Sequence, residues 1–187
     1  SGLIASLILV YISAHAVQST WTYYNMEKFN WTPQLVGYSL TFVGIMIALV
    51  QGGLIRIIIP KLGQHKSVYI GLILYSVGFL LFGFATQGWM MYIFMIPYAF
   101  GGIAGPSIQG IISSHIPPNE QGELQGALTS LMSATSIIGP PIMTTLFAYF
   151  TSTNAPFIFP GAPFLTGAIL TFISAFMAWR SFKKTGF

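Results

Sequence analysis

The sequence predicts an all-α integral membrane protein, a bundle of six transmembrane helices. Three observations carry that prediction. Of the 187 residues 54% are hydrophobic and only 5% charged, with a mean hydropathy of +0.74, whereas a soluble domain carries roughly 25% charged residues to keep its surface wet. Apolar stretches recur along the whole length, each near the 20 or so residues that a helix needs to cross a hydrocarbon core about 30 Å thick. Seven Lys and Arg stand against three Asp and Glu, and the basic residues lie in two short clusters that border apolar runs. They read as membrane anchors, not as a nucleic-acid surface. One soluble globular domain is excluded. With no cysteine, disulfides, thiolate zinc sites and Cys nucleophiles are excluded too.

Hydropathy places the spans at 2–24, 33–55, 68–85, 90–112, 123–150 and 161–180, each near the length of a tilted membrane helix. The first has no basic leader ahead of it and no small-residue cleavage site after it, so it reads as a span and not as a secretory signal. The chain opens on Ser1-Gly2 without an initiator Met and reads as cut from something longer. The breaks are Glu27 to Trp31, Arg56 to Lys66, Thr86 to Gly88, Pro117 to Glu120 and Thr151 to Pro160, all with turn or breaker residues. Six spans put both ends, the 56–66 loop and the 115–122 loop on one side of the membrane. Arg56, Lys61, Lys66, Arg180, Lys183 and Lys184 all fall there and only Lys28 lies opposite, so the positive-inside rule makes that side cytoplasmic. Trp21, Trp31, Trp89 and Trp179 sit near span ends and suit an aromatic belt at the headgroups. Asn119, ahead of Glu120 and Glu123, suits a helix N-terminus, where a short acceptor caps free N–H groups and acids complement the dipole.

Polar side chains inside spans are costly and need partners or water. His15 and Gln18 share one face of the first span. Gln51 lies late in the second and Gln109 late in the fourth, and Gln125, Thr129 and Ser133 follow each other along the fifth at a spacing of four. Two readings stand: a watered cavity that these residues line, or interhelical hydrogen bonds that only hold the bundle together. His15 is the sharpest candidate, because an imidazole takes up or gives away a proton near neutral pH. Between the second and third spans, Gly53, Arg56, Lys61, Gly63 and Lys66 form either a basic latch over neighbouring helix ends or a tight turn with ordinary inside-positive charges. Pro97, Gly139 and Pro140 are candidates for helix bends. No Asp or Glu lies at the middle of any span, so a proton-driven carrier would depend on His15 or on a relay outside this chain.

An intramembrane enzyme is the reading from a different class, with Ser107, Ser113 or Ser114 as nucleophile and His115 as base. There is no nucleophile-elbow pattern and no nameable oxyanion site, so an enzyme is not expected. A membrane scaffold would explain the glycines but not the polar file through the first, fourth and fifth spans. No metal and no cofactor is called for.

Several strings together resemble the tetracycline-resistance efflux branch of the major facilitator superfamily, in its second six-helix half. They are Trp21, Tyr24, Glu27, Lys28, Phe29 and Trp31, then Gly37-Tyr38-Ser39-Leu40; Gln51, Gly53, Gly63 and Lys66, like a degenerate cytoplasmic gating loop; Gly101-Gly102-Ile103 through Pro106 and Gln109; Gln121-Gly122 with Leu124-Gln125-Gly126; and Ser130-Leu131, Ala134-Thr135 and Ile138-Gly139-Pro140. The resemblance implies that residues 1–187 are the C-terminal half of a twelve-helix major facilitator fold. It also implies a proton-coupled antiporter in a bacterial inner membrane that expels a tetracycline-like or other amphiphilic drug by alternating access, with an N-terminal six-helix half as partner. The first, second, fourth and fifth spans would then face the central cavity, with His15, Gln18, Gln109, Gln125 and Thr129 as candidate lining, and Gly139-Pro140 would mark a helix bend. Two departures stand out: Tyr75 occupies a third-span position where known tetracycline exporters carry an aspartate, and the gating loop around Arg56 lacks the family's acid. A six-helix unit that works as a homodimer is the alternative within transport.

Overall fold

The computed structural model describes residues 2–185, so Ser1, read above as a cut edge, lies outside the described residues. The regular structure of the described chain is all helical, with α1 (Gly2–Phe29), α2 (Pro33–Leu49), a π-helical turn (Val50–Leu54), α3 (Ile55–Leu62), α4 (Gln64–Phe84), α5 (Gly88–Gly101), α6 (Ala104–Ser114), a 3₁₀ turn (Pro118–Glu120), α7 (Gln121–Thr151) and α8 (Ala162–Thr185), joined by short breaks and one loop over 152–161. Among the described residues six helical stretches are long and apolar enough to cross a membrane: Gly2–Phe29, Pro33–Leu62, Gln64–Phe84, Gly88–Ser114, Pro118–Thr151 and Ala162–Lys184. The reason is local, because backbone that crosses lipid must satisfy its own hydrogen bonds. The chain is a multi-pass membrane protein.

Helix ends follow the capping residues. Asn30 stops α1 in the left-handed region, at φ 53°, and after it Thr32 caps α2, whose first residue is Pro33. The expected loop from Arg56 to Lys66 is a correction: α3 continues the second span to Leu62 and α4 begins at Gln64. Only Gly63, at φ 82°, stands between them, a conformation that an L side chain rarely adopts. Helix continues through the β-branched Ile57-Ile58-Ile59 run in spite of its lower helix propensity, because an apolar segment in lipid must satisfy its own backbone hydrogen bonds, and the Gly52-Gly53 pair is absorbed by the π-helical turn. A 30-residue second span is about 45 Å long at 1.5 Å per residue and overshoots the hydrocarbon.

The start of α7 differs from expectation as well. Asn119 lies in the 3₁₀ turn, and no side chain caps the helix. Gln121 holds the junction instead: its Nε2 donates to the carbonyls of Ser113 and Ile116, both at 2.8 Å, and its Oε1 accepts from the Ser113 hydroxyl at 2.6 Å.

The core lies where α1, α4, α5 and α8 meet. Trp21 packs edge-on to Phe82, with ring centres 5.1 Å apart, and Tyr24 packs edge-on to Phe164 at 4.7 Å. The Tyr24 hydroxyl donates to the Phe82 carbonyl, and the Trp21 indole N–H donates to Ser39 at 2.9 Å. Trp21 and Trp31 are therefore core residues and not belt residues, whereas Trp89 and Trp179 are exposed. Close backbone approach, the main source of cohesion between membrane helices, is clearest on α4: a Cβ at Gly78 would lie 2.9 Å from the Tyr98 backbone, and one at Gly71 2.8 Å from the Ala104 nitrogen. The second and fifth spans are the least packed, 11% and 17% buried against 39–56% for the others.

Candidate functional site

A cavity of about 440 Å³ opens between the helices. Its walls come from α1, the α2–π-helix stretch, the α5–α6 junction and α7, with Tyr75 reaching in from α4. The first, second, fourth and fifth spans thus all face it.

Both breaks in helical geometry fall on its rim. The π-helical turn carries Gln51 to the wall, in keeping with the placement of π-bulges at functional positions. Between α5 and α6 the chain leaves the α-helix at Gly102-Ile103, where Gly102 and Ile103 donate three residues back, to Ala99 and Phe100, at 3.1 and 3.2 Å. Pro106 has no N–H to give to the Gly102 carbonyl, so this turn cannot close as regular helix. Gly102 also admits Gln51, whose Nε2 would be 3.1 Å from a Cβ there. Pro97 lies inside α5, which runs on to Gly101, and Gly139 and Pro140 lie inside the continuous α7.

His15, Gln18 and Gln109 line the cavity. His15 is 8% exposed and makes no hydrogen bond with a described residue. Its ring fills the space that a Cβ on Gly139 would need. Gln109 Nε2 donates to the Tyr11 hydroxyl at 2.7 Å. Gln125 and Thr129 are on exposed positions of α7 outside the cavity wall, and the same helix supplies Met132, Thr135 and Ser136 in their place. Seven residues separate Gln125 from Met132, about 10 Å along a helix axis, so the two expected residues sit nearer the cytoplasmic end expected for α7.

Sequence reasoning did not assign Tyr11, Tyr75, Tyr98, Thr135 or Ser136 to the wall. Tyr11 precedes His15 by four residues and Gln18 by seven, the repeat of one helix face, and that spacing was available to find it. Tyr75 and Tyr98 stack at 5.0 Å between ring centres, a pairing that depends on Gly101, where a Cβ would lie 2.6 Å from the Tyr75 Cα. No spacing in the sequence announces it. Among the described residues the wall carries no Asp, Glu, Lys or Arg.

The latch residues lie apart from the cavity. Gly53 is in the π-helical turn, Arg56 and Lys61 are on α3, Gly63 is the joint and Lys66 opens α4. None of the three cations makes a side-chain hydrogen bond or ion pair with a described residue. Of the hydroxyls considered for an enzyme, Ser107 donates to the Ile103 carbonyl at 2.7 Å, Ser114 to the Ile111 carbonyl at 2.8 Å and Ser113 to Gln121. His115 Nδ1 lies 3.3 Å from the Ser114 hydroxyl but donates to the Ile111 carbonyl at 2.7 Å, so it carries a proton and cannot take one from Ser114.

Residues 3–185 match the family model of the Major Facilitator Superfamily. The class C tetracycline resistance protein of Escherichia coli is 33% identical over 172 residues, which cover 90% of this chain and 42% of that protein. The class G tetracycline resistance protein of Vibrio anguillarum is 33% identical over 147 residues, 79% of this chain and 37% of that protein. Hippocampus abundant transcript-like protein 1 of Homo sapiens is 25% identical over 187 residues, covering 92% of this chain and 37% of its own. The chain spans about two fifths of the length of these curated relatives. With a six-helix membrane fold and a match that runs from residue 3 to residue 185, the chain belongs to the major facilitator superfamily.

Proposed function

We propose that this chain is the C-terminal six-helix half of a proton-coupled exporter of tetracycline-like or other amphiphilic drugs, working by alternating access in a bacterial inner membrane with both ends of the segment in the cytoplasm. The observation that carries the reading is the cavity of mixed polar and apolar lining walled by the first, second, fourth and fifth spans, two of which, the second and fifth, are the least packed helices. A second bundle seated against those two spans completes the enclosure, and relatives more than twice the length of this chain have room for one. Tyrosine rings offer an amphiphile stacking surface, while Gln18, Gln51 and Gln109 offer donors and acceptors without a fixed charge. The gating residues Gly53, Arg56, Lys61, Gly63 and Lys66 then act between bundles, holding the cytoplasmic ends of the two halves together in one transport state. Gln125 and Thr129, exposed on α7, face the second bundle.

The test is drug accumulation in cells that express the full-length gene containing this segment, with and without a protonophore, beside a Gln109→Ala variant. Low accumulation that rises with the protonophore, and also rises in the variant, is the expected result. Accumulation that ignores both across a broad drug panel sinks the exporter reading and leaves the membrane fold.

A further inference from the structure

We infer that His15 is the proton-binding group of this half and that it passes its change of charge to α7 through contact with Gly139; the inference rests on the exporter reading above. His15 stands in the cavity wall, more than nine-tenths buried, with neither ring nitrogen bonded to a described residue. A polar group shut off from water is ordinarily hydrogen-bonded within the protein; this imidazole opens on the cavity instead, so its partner is one that comes and goes, cavity water or a proton.

Nothing else on the wall competes for that role. The titratable groups that face the same cavity are Tyr11 from α1, Tyr75 from α4 and Tyr98 from α5, and α6 and α7 contribute only uncharged polar groups, Gln109, Thr135 and Ser136. From the second span come Ile47 and Gln51. A phenol ordinarily titrates near pH 10, far from the working range, whereas an imidazole changes charge between about pH 5 and 8.

The Cγ–Cδ2 edge of the ring presses on α7 at Gly139, where that helix lacks regular hydrogen bonds. Pro140 and Pro141 follow Gly139 and have no N–H to give to the carbonyls of Ser136 and Ile137. The hydroxyls of Thr135 and Ser136 both turn back to the Met132 carbonyl, at 2.7 and 3.0 Å, side-chain bonds of a kind that bend helices. In the outward-facing state a ring nitrogen takes one proton from cavity water. The imidazolium needs solvation that an apolar contact cannot give, so the ring withdraws from Gly139 toward the cavity and α7 shifts into the freed space. In the inward-facing state the same proton leaves to cytoplasmic water, the neutral ring returns to Gly139, and the cavity is free for drug. One proton enters for each cycle through His15: it leaves a hydronium O–H for the ring N–H on the outer side and leaves that N–H for the O–H of a cytoplasmic water on the inner side, with no other bond made or broken.

The experiment uses the full-length transporter in proteoliposomes with tetracycline as the probe, read two ways: uphill transport driven by a pH gradient, and counterflow of tetracycline down its own gradient. In His15→Gln, uphill transport falls by roughly a hundredfold, the scale on which a positioned proton-transfer group acts, while counterflow persists and loses its pH dependence. His15→Gln transport that stays at the wild-type rate with the wild-type pH profile overturns the inference and leaves the exporter reading standing. Loss of both activities together overturns it too, since it makes His15 a drug-binding or structural residue. A wild type with no gradient-driven tetracycline transport rejects the tetracycline exporter reading itself. For the second link, Gly139→Ala slows counterflow and His15→Ala in the same chain restores it. A Gly139→Ala variant equal to wild type in both readouts removes α7 from the coupling.

Discussion

The imidazole of His15 on α1 occupies the space that a Cβ on Gly139 of α7 would need. Gly139→Ala therefore overpacks the α1–α7 contact, at a cost of about 1–3 kcal/mol, and lowers the thermal unfolding midpoint in detergent. Because the obstacle is a side chain, His15→Ala relieves the strain, so the double variant is more stable than Gly139→Ala alone. Equal midpoints for Gly139→Ala and wild type would show that α1 and α7 are farther apart.

Gly101 and Gly105 lie four residues apart and predict opposite outcomes. A Cβ at Gly101 meets the Tyr75 backbone and ring, with Cα and Cδ2 both 2.6 Å away, whereas at Gly105 nothing lies within 4 Å. Backbone cannot rotate aside, so Gly101→Ala separates α4 from the α5–α6 junction and costs about 3 kcal/mol, the upper end for overpacking. Gly105→Ala gains helix propensity of up to about 1 kcal/mol. Unfolding of the two variants side by side checks the contrast.

The Gln109–Tyr11 hydrogen bond joins α6 to α1 across the cavity wall. A double-mutant cycle with Gln109→Leu and Tyr11→Phe is expected to show a coupling of about 0.6 kcal/mol, the mean for such bonds within membranes. Strict additivity of the two variants would mean that the bond is absent.

At the α6–α7 junction Gln121, and not Asn119, carries the capping work. Gln121→Ala leaves the Ile116 carbonyl without its Gln121 donor and the Ser113 carbonyl with only the Ile116 N–H, and costs about 1 kcal/mol. Asn119→Ala is expected to fall within about 0.5 kcal/mol of wild type, as exposed substitutions do. A larger loss for Asn119→Ala than for Gln121→Ala would restore the capping role that its sequence position suggests.

Much of the fold was legible before any coordinates, and the legible parts share a cause. Six apolar stretches, the break between Glu27 and Trp31 and the start of the second span at residue 33 all reflect interactions within a few residues, which adjacent letters encode, whereas the end of that span, carried by α3 to Leu62, was not legible. The cavity was legible in part. His15, Gln18 and Gln109 were found because polar atoms inside apolar spans are rare enough to stand out, and Tyr11 shared their spacing. Gln125 and Thr129 were placed by the same rule and lie elsewhere, because spacing identifies a face of a helix but not the depth at which a neighbour curves away from it.

By itself, then, the sequence determined a six-span membrane bundle and its family, since span length and backbone self-satisfaction are properties of single segments in lipid. Tertiary structure alone decided which glycines are obligatory, that Trp21 enters the core while Trp89 remains outside, that Gly52 and Gly53 widen a helix, and that Tyr75 stacks on Tyr98. The physical reason is that lipid solvates apolar side chains as well as protein does. Apart from a few polar positions such as His15 and Gln18, the apolar surface of a membrane helix therefore does not say which way it faces, and its orientation comes from how closely it can pack against its neighbours.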